Sequence, residues 1–197
     1  MNRISEVLKL GSRVTVLPVV HGSGDFAVEV RRLMLSHSFD CVAVPLPPSF
    51  RIEVESAVQW LPNVSVVLQR DLQTEFSGTG EYSPDDRNDV DEGDEGRASY
   101  VPIDPCQPVI AALRIAIQEH IPREFIDIED EQYVPVGAVL PDPYALKQVS
   151  VERFAAATLP SIIPPIDPAH IRRVNWMANE LHRLVKARQS ILFVCSV

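Results

Sequence analysis

The chain has 197 residues; 18 are Lys or Arg and 27 are Asp or Glu, so its formal net charge is −9. That length suits one domain, or at most a small pair, with a sizeable core. An apolar fraction of 46% excludes an intrinsically disordered chain. The acidic balance argues against nucleic acid or an anionic membrane as the main partner.

The first segment, MNRISEVLKLGS, carries a charge every few residues and lacks the apolar core of a signal peptide. Val14 to Val20 (VTVLPVV) is a β-branched run and reads as a buried strand. From Asp25 to Leu35, Phe26, Val30, Leu33 and Met34 recur at helical spacing, with Ser23 or Gly24 as cap and Asp25 in the first turn. Phe39 to Leu46 is a second strand. Ser49 is expected to cap the following helix, whose stripe is Val54, Ala57, Val58 and Leu61. Val64 to Leu68 is a third strand. Residues 1–74 therefore read as a βαβαβ half of one sheet.

The charge is concentrated just beyond this third strand. Residues 75–96 contain nine acids and one base, Arg87, a sum of −8 that leaves −1 for the other 175 residues. The same stretch holds four of the eight glycines and only Phe76, Tyr82 and Val90 as large apolar or aromatic residues. Such a segment buries too little apolar area to offset its ordering entropy. Residues 75–98 are expected to form a flexible, disordered acidic insertion. A cation-binding or partner-binding loop is the alternative, although the spacing does not match a calcium loop.

Residues 99–197 are expected to complete the same domain. Tyr100 to Ile103 is extended, and Asp104-Pro105 is expected to open a helix with Val109, Leu113, Ala116 and Ile117 on one face. Phe125 to Ile128 is a short strand. Asp142-Pro143 and Asp167-Pro168 repeat the pattern of a capping carboxylate before a first-turn proline. A helix over about 168–188 carries Ile171, Val174, Ala178, Leu181 and Val185, and Ser190 to Val197 is a final strand. Trp60 and Trp176 read as core or interface anchors. Because the chain stops within an apolar strand, it is expected to continue in a longer protein. The fold class is α/β, with a mainly parallel sheet and helices on both faces.

Three cysteines, Cys41, Cys106 and Cys195, are odd in number and form no CxxC pair, which argues against a disulfide framework and a zinc knuckle. No stretch approaches a membrane-spanning length of about 18 apolar residues, so a cytoplasmic protein is expected.

LPVVHGSGDF, residues 17–26, carries the most chemistry. It sets His21 at the carboxyl end of a strand, before Gly22, Ser23, Gly24 and a helix N-terminus, where open α/β sheets build sites. His21 is a candidate general base and Ser23 a candidate nucleophile. Gly22, Gly24, Asp25 and Asp104 are candidate ligand-binding residues, with Asp104 also suited to a helix cap. No metal site is assigned, since His37, His120, His170 and His182 share no ligand spacing. Asp127, Glu129, Asp130 and Glu131 follow a strand, where a carboxylate pair can serve acid–base chemistry or be solvated. Arg172, Arg173, Arg183, Lys186 and Arg188 give the last helix a basic face, solvated or available for docking. The His-Gly-x-Gly turn also suits the oxyanion loop of an α/β-hydrolase, but residues 25–197 contain no G-x-S-x-G elbow.

Residues 14–48 resemble the start of the erythromycin esterase, ChaN and TraB superfamily. His21, Gly22, Ser23 and Phe26 match its first-strand motif, and Asp25 stands for its acid. The resemblance implies a carboxylate-based site, but Pro18 and Val19 stand where the first-strand glutamate belongs. Pro45 stands where the second-strand acid belongs, so metal or general-base chemistry resting on those carboxylates would be lost. Two functions emerge as expectations: a divergent, non-catalytic structural or interaction domain, or a hydrolase or ligand-binding domain centred on HGSGD. No cofactor is indicated. The expected partner is a protein or a small molecule, not a membrane, while nucleic acid is disfavoured less strictly than −9 suggests.

Overall fold

A computed structural model describes residues 6–70, 98–129, 141–163 and 167–196. The acidic insertion, residues 130–140 and Val197 lie outside the described residues, apart from Ala98.

A five-stranded sheet runs in the order β1 (Lys9–Leu10), β2 (Val14–Val19), β7 (Ile191–Ser196), β3 (Cys41–Val44) and β6 (Arg123–Phe125). All neighbours are parallel except β1, which pairs antiparallel with the start of β2. That arrangement explains Pro18. Beyond Thr15 the outer side of β2 has no β1 partner, so a residue without an N–H can sit there while Pro18 registers with Cys195 of β7.

Alternate side chains divide the sheet between two cores. Leu17, Val19, Val42, Val44, Leu192 and Val194 join the larger core with helices α1 (Gly24–Ser36), α2 (Arg51–Val58), α3 (Pro108–Gln118) and α4 (Val151–Thr158). Val14, Cys41, Ala43, Ile191 and Phe193 face the other side, under Leu181 and Leu184 of α5 (Pro168–Ala187). From β2 to β3 and on to β6 the chain steps one way along the sheet, with α1, α2 and α3 on one face. The return to β7 reverses direction and α5 lies on the opposite face, as a single crossover handedness demands.

The helices start where their caps dictate. Ser23 Oγ accepts from Phe26 N at 3.4 Å, and Asp167 accepts from His170 N at 2.9 Å with Pro168 in the first turn. Asp142 likewise accepts from Tyr144 N, opening a short 3₁₀ helix over Pro143–Lys147. Phe26 is fully buried and meets Phe154 edge to face, with ring centroids 5.5 Å apart.

Four expectations are corrected. The third strand forms, but β4 (Ser65–Arg70) pairs antiparallel with β5 (Ala98–Ile103) in a separate ribbon, so residues 1–74 do not build one βαβαβ sheet. Its alternation is the reason: Val67 is buried while Val66 and Leu68 are exposed, the pattern of a strand covered on one face. Ser49 does not cap α2, which comes after a 3₁₀ turn at Pro48–Phe50. Asp104 does not cap α3 either; Gln107 occupies the cap, and Asp104 Oδ1 accepts from Cys106 N at 2.7 Å in a local turn. Trp60 and Trp176 are 70% and 46% exposed, which overturns the core role and leaves that of interface anchor open.

Among the described residues no helix is long and apolar enough to cross a membrane. Truncating Phe26 to Ala should cost about 3–5 kcal/mol in denaturant unfolding, since the ring leaves a cavity against Phe154.

Candidate functional site

The four parallel strands end along one edge of the sheet. Val20 to Ser23 follow β2, Pro45 to Ser49 follow β3, and Ile126 to Glu129 follow β6. Irregular backbone bonds extend the last two: Ile126 N donates to Val44 O at 3.1 Å and Asp127 N to Leu46 O at 3.1 Å. The loop Asp104–Gln107, between β5 and α3, touches the first of these turns.

Gly22 has φ +73°, a left-handed conformation that an L side chain rarely adopts. Its N–H donates to Gln107 Oε1 at 2.9 Å, so the turn is held by a residue 85 positions away. Gly24 needs no such freedom: a Cβ there would meet Cys106 Sγ at 3.6 Å, an ordinary contact. Ser23 is buried, and its hydroxyl is engaged as the α1 cap. His21 is exposed, and its ring has no hydrogen-bond partner among the described residues. Crowding by protein atoms against the sheet end, and then the Arg173 charge, hold its pKa below the ordinary 6.5. At neutral pH it is therefore an uncharged imidazole, able to accept a proton or a hydrogen bond.

The acids of this edge each have a partner. Asp25 lies 3.9 Å from Lys147 Nζ, whose ammonium also sits 4.8 Å from the Tyr144 ring centroid. Asp104 holds the Cys106 amide, and its charge raises the pKa of the exposed Cys106 thiol. Asp127 is only 3% exposed and receives the Arg173 guanidinium in a fork, with Nε at 2.8 and 2.7 Å and Nη2 on Oδ2. Glu129 accepts from both the amide and the hydroxyl of Ser49, each at 2.8 Å.

The candidate residues His21, Gly22, Ser23, Gly24 and Asp25 thus share one turn, and Asp104 belongs to the loop that contacts it. Ser23 and His21 share the turn without a hydrogen bond between them. Three residues are not singled out by sequence: Gln107, Lys147 and, as a site member, Arg173. Arg173 stands among the basic residues of α5, but only the fold shows that it turns inward to Asp127. Asp130 and Glu131 lie outside the described residues. Among the described residues no three His, Cys, Asp or Glu side chains gather as a metal site. All three thiols are free; burial pushes Cys41 up to about 11 and Cys195 up to about 12, so neither is a ready nucleophile. A shallow groove of about 580 Å³ lies along the outer face of α5, at Ile171, Asn175 and Trp176.

No protein-family model, curated protein or solved structure matches the chain. The class of protein therefore rests on the fold: a mixed α/β domain with a mostly parallel five-stranded sheet.

Two measurements probe this edge. Gly22→Ala should cost about 1–2 kcal/mol in thermal or denaturant unfolding because of its positive φ, whereas Gly24→Ala should be neutral or slightly stabilising. Arg173→Gln should raise the His21 pKa, read by imidazole NMR titration. The value should remain below 6.5, because desolvation by the surrounding protein atoms, the larger cause, persists.

Proposed function

We propose that this domain is a non-catalytic interaction or structural module, a divergent relative of the erythromycin esterase, ChaN and TraB superfamily that keeps a strand-end turn without its acids. One observation carries the reading. Asp25, Asp104, Asp127 and Glu129 are each tied to a cation or to an N–H or O–H donor, and none reaches the His21 ring. General-base or metal catalysis at this turn needs a carboxylate that orients the imidazole or shares a cation with it. Here Pro18 and Val19 in the first strand and Pro45 after the second stand where the resemblance puts those acids. Its partner is then a protein or a small molecule recognised at the surface, and a cytoplasmic setting fits the sequence.

A second reading is supported by His21 itself. An exposed imidazole, uncharged at neutral pH and next to the N-terminus of α1, suits ligand binding or ester hydrolysis.

Hydrolysis of p-nitrophenyl acetate, with and without added Zn²⁺ or Mn²⁺, separates the two. Wild type and His21→Ala should be indistinguishable in rate and in metal dependence. A rate that falls at least tenfold in His21→Ala would establish the hydrolase reading instead.

A further inference from the structure

The strand edges among the described residues are not equally protected. β1 has two residues, β6 has three with Arg123 and Glu124 among them, and β5 carries Pro102. Short length, charge and proline are the usual guards against pairing with another chain. β4 is six residues long, carries neither proline nor charge from Ser65 to Gln69 before its terminal Arg70, and among the described residues has one neighbour, β5. No other described strand pairs with its far edge.

The same strand and the residue before it are apolar on the solvent face. Val64, Val66 and Leu68 are 67%, 50% and 62% exposed, and Tyr100, the register partner of Leu68, is 67% exposed. Val67 and Val101 point the other way and are buried. Pro102 registers with Val66 and has no N–H to give, so that pair is of the kind that exchanges no backbone bonds. By alternation the amides of Val66 and Leu68 point to the open edge.

We propose that β4 pairs antiparallel with β4 of a second copy, about a two-fold axis at Val67, giving a continuous four-stranded sheet. The side chains select that occupant and that register. With the axis at Val67, Val66 lies opposite Leu68 of the second copy and Ser65 opposite its Gln69, so apolar meets apolar and polar meets polar. A shift that moves the axis to Val66 sets Ser65 against Val67 instead. A strand joined to its own copy closes under one two-fold and leaves no further edge of that kind, so association stops at the dimer. The paired segment Ser65–Gln69 carries no charge, and the flanking Arg70 lies opposite Val64, so two copies of a chain of net charge −9 meet there without direct like-charge contact.

The test is sedimentation equilibrium of the full chain from about 1 μM to about 1 mM, the range of a small interface. Amide exchange is followed over the same concentrations. Wild type should show a monomer–dimer equilibrium that tightens as salt rises, because the two −9 copies repel. Exchange at Val66 and Leu68 should slow with concentration. The double substitution Val66→Lys/Leu68→Lys changes only exposed side chains and should weaken the dimer at least tenfold at unchanged circular dichroism. A wild type that stays monomeric throughout overturns the proposal. So does a dimer with unprotected Val66 and Leu68 amides, or one that Val66→Lys/Leu68→Lys leaves intact.

Discussion

Insertion of β7 between β2 and β3 is the contact on which the sheet depends. Without it β2 and β3 have no partner in common, because the helix that links them, α1, delivers β3 two positions along the sheet rather than one. Residues 191–194 are all buried, and their side chains alternate between the two cores, so one strand seals both layers. Its entry is fixed by polar contacts. Asp40 accepts from Gln189 N at 2.7 Å and Ser190 N at 3.1 Å, its own amide donates to Ser190 O, and Ile191 N reaches Arg13 O. The Asp40 bonds join residues about 150 positions apart, and the Arg13 bond spans more. The loop-closure entropy of such pairings is lost before their burial is gained, and the topology is correspondingly slow to form.

The carboxyl edge inherits its order from that strand. With β2, β7, β3 and β6 in register, the turns after β2, β3 and β6 lie along one side, and α5 can reach across to place Arg173 on Asp127. A carboxylate as buried as Asp127 needs a cation or donors close by, since an uncompensated charge there would cost several kcal/mol. The same guanidinium lowers the proton affinity of His21. One ion pair thus couples the packing of the last helix to the protonation of the most exposed polar group in the HGSGD turn.

Most of the element order is legible in the sequence because it rests on local signals. β-branched runs mark β2, β3 and β7, helical spacing marks α1 and α5, and the Asp-Pro pairs at 142 and 167 mark two true caps. The same Asp-Pro signal fails at Asp104, because Pro105 is followed by two further residues before the helix and the carboxylate closes a turn instead. β4 is legible as a strand, but its sheet is not. A five- or six-residue apolar run does not reveal whether one face or both will be covered, and that is decided by its neighbour β5. In the site, the turn can be read from His21 and its glycines. Gln107, Lys147 and the inward aim of Arg173 cannot, since each acts through a tertiary contact with no counterpart in spacing.

Those tertiary contacts also link the two open features of the molecule. β5 ends at Ile103, which is fully buried and anchors the ribbon to the larger core. The next four residues, Asp104 to Gln107, run directly to the start of α3 and end in the side chain that binds Gly22. Asp104 tightens that passage by holding the Cys106 amide, and Cys106 packs beside Gly24. The conformation of the HGSGD turn, including the left-handed Gly22, is therefore set as much by the segment leaving the ribbon as by the strand that precedes it. A glycine-rich turn alone would be mobile. Bonded to Gln107 and capped by Ser23 it has a defined shape, held before any ligand arrives.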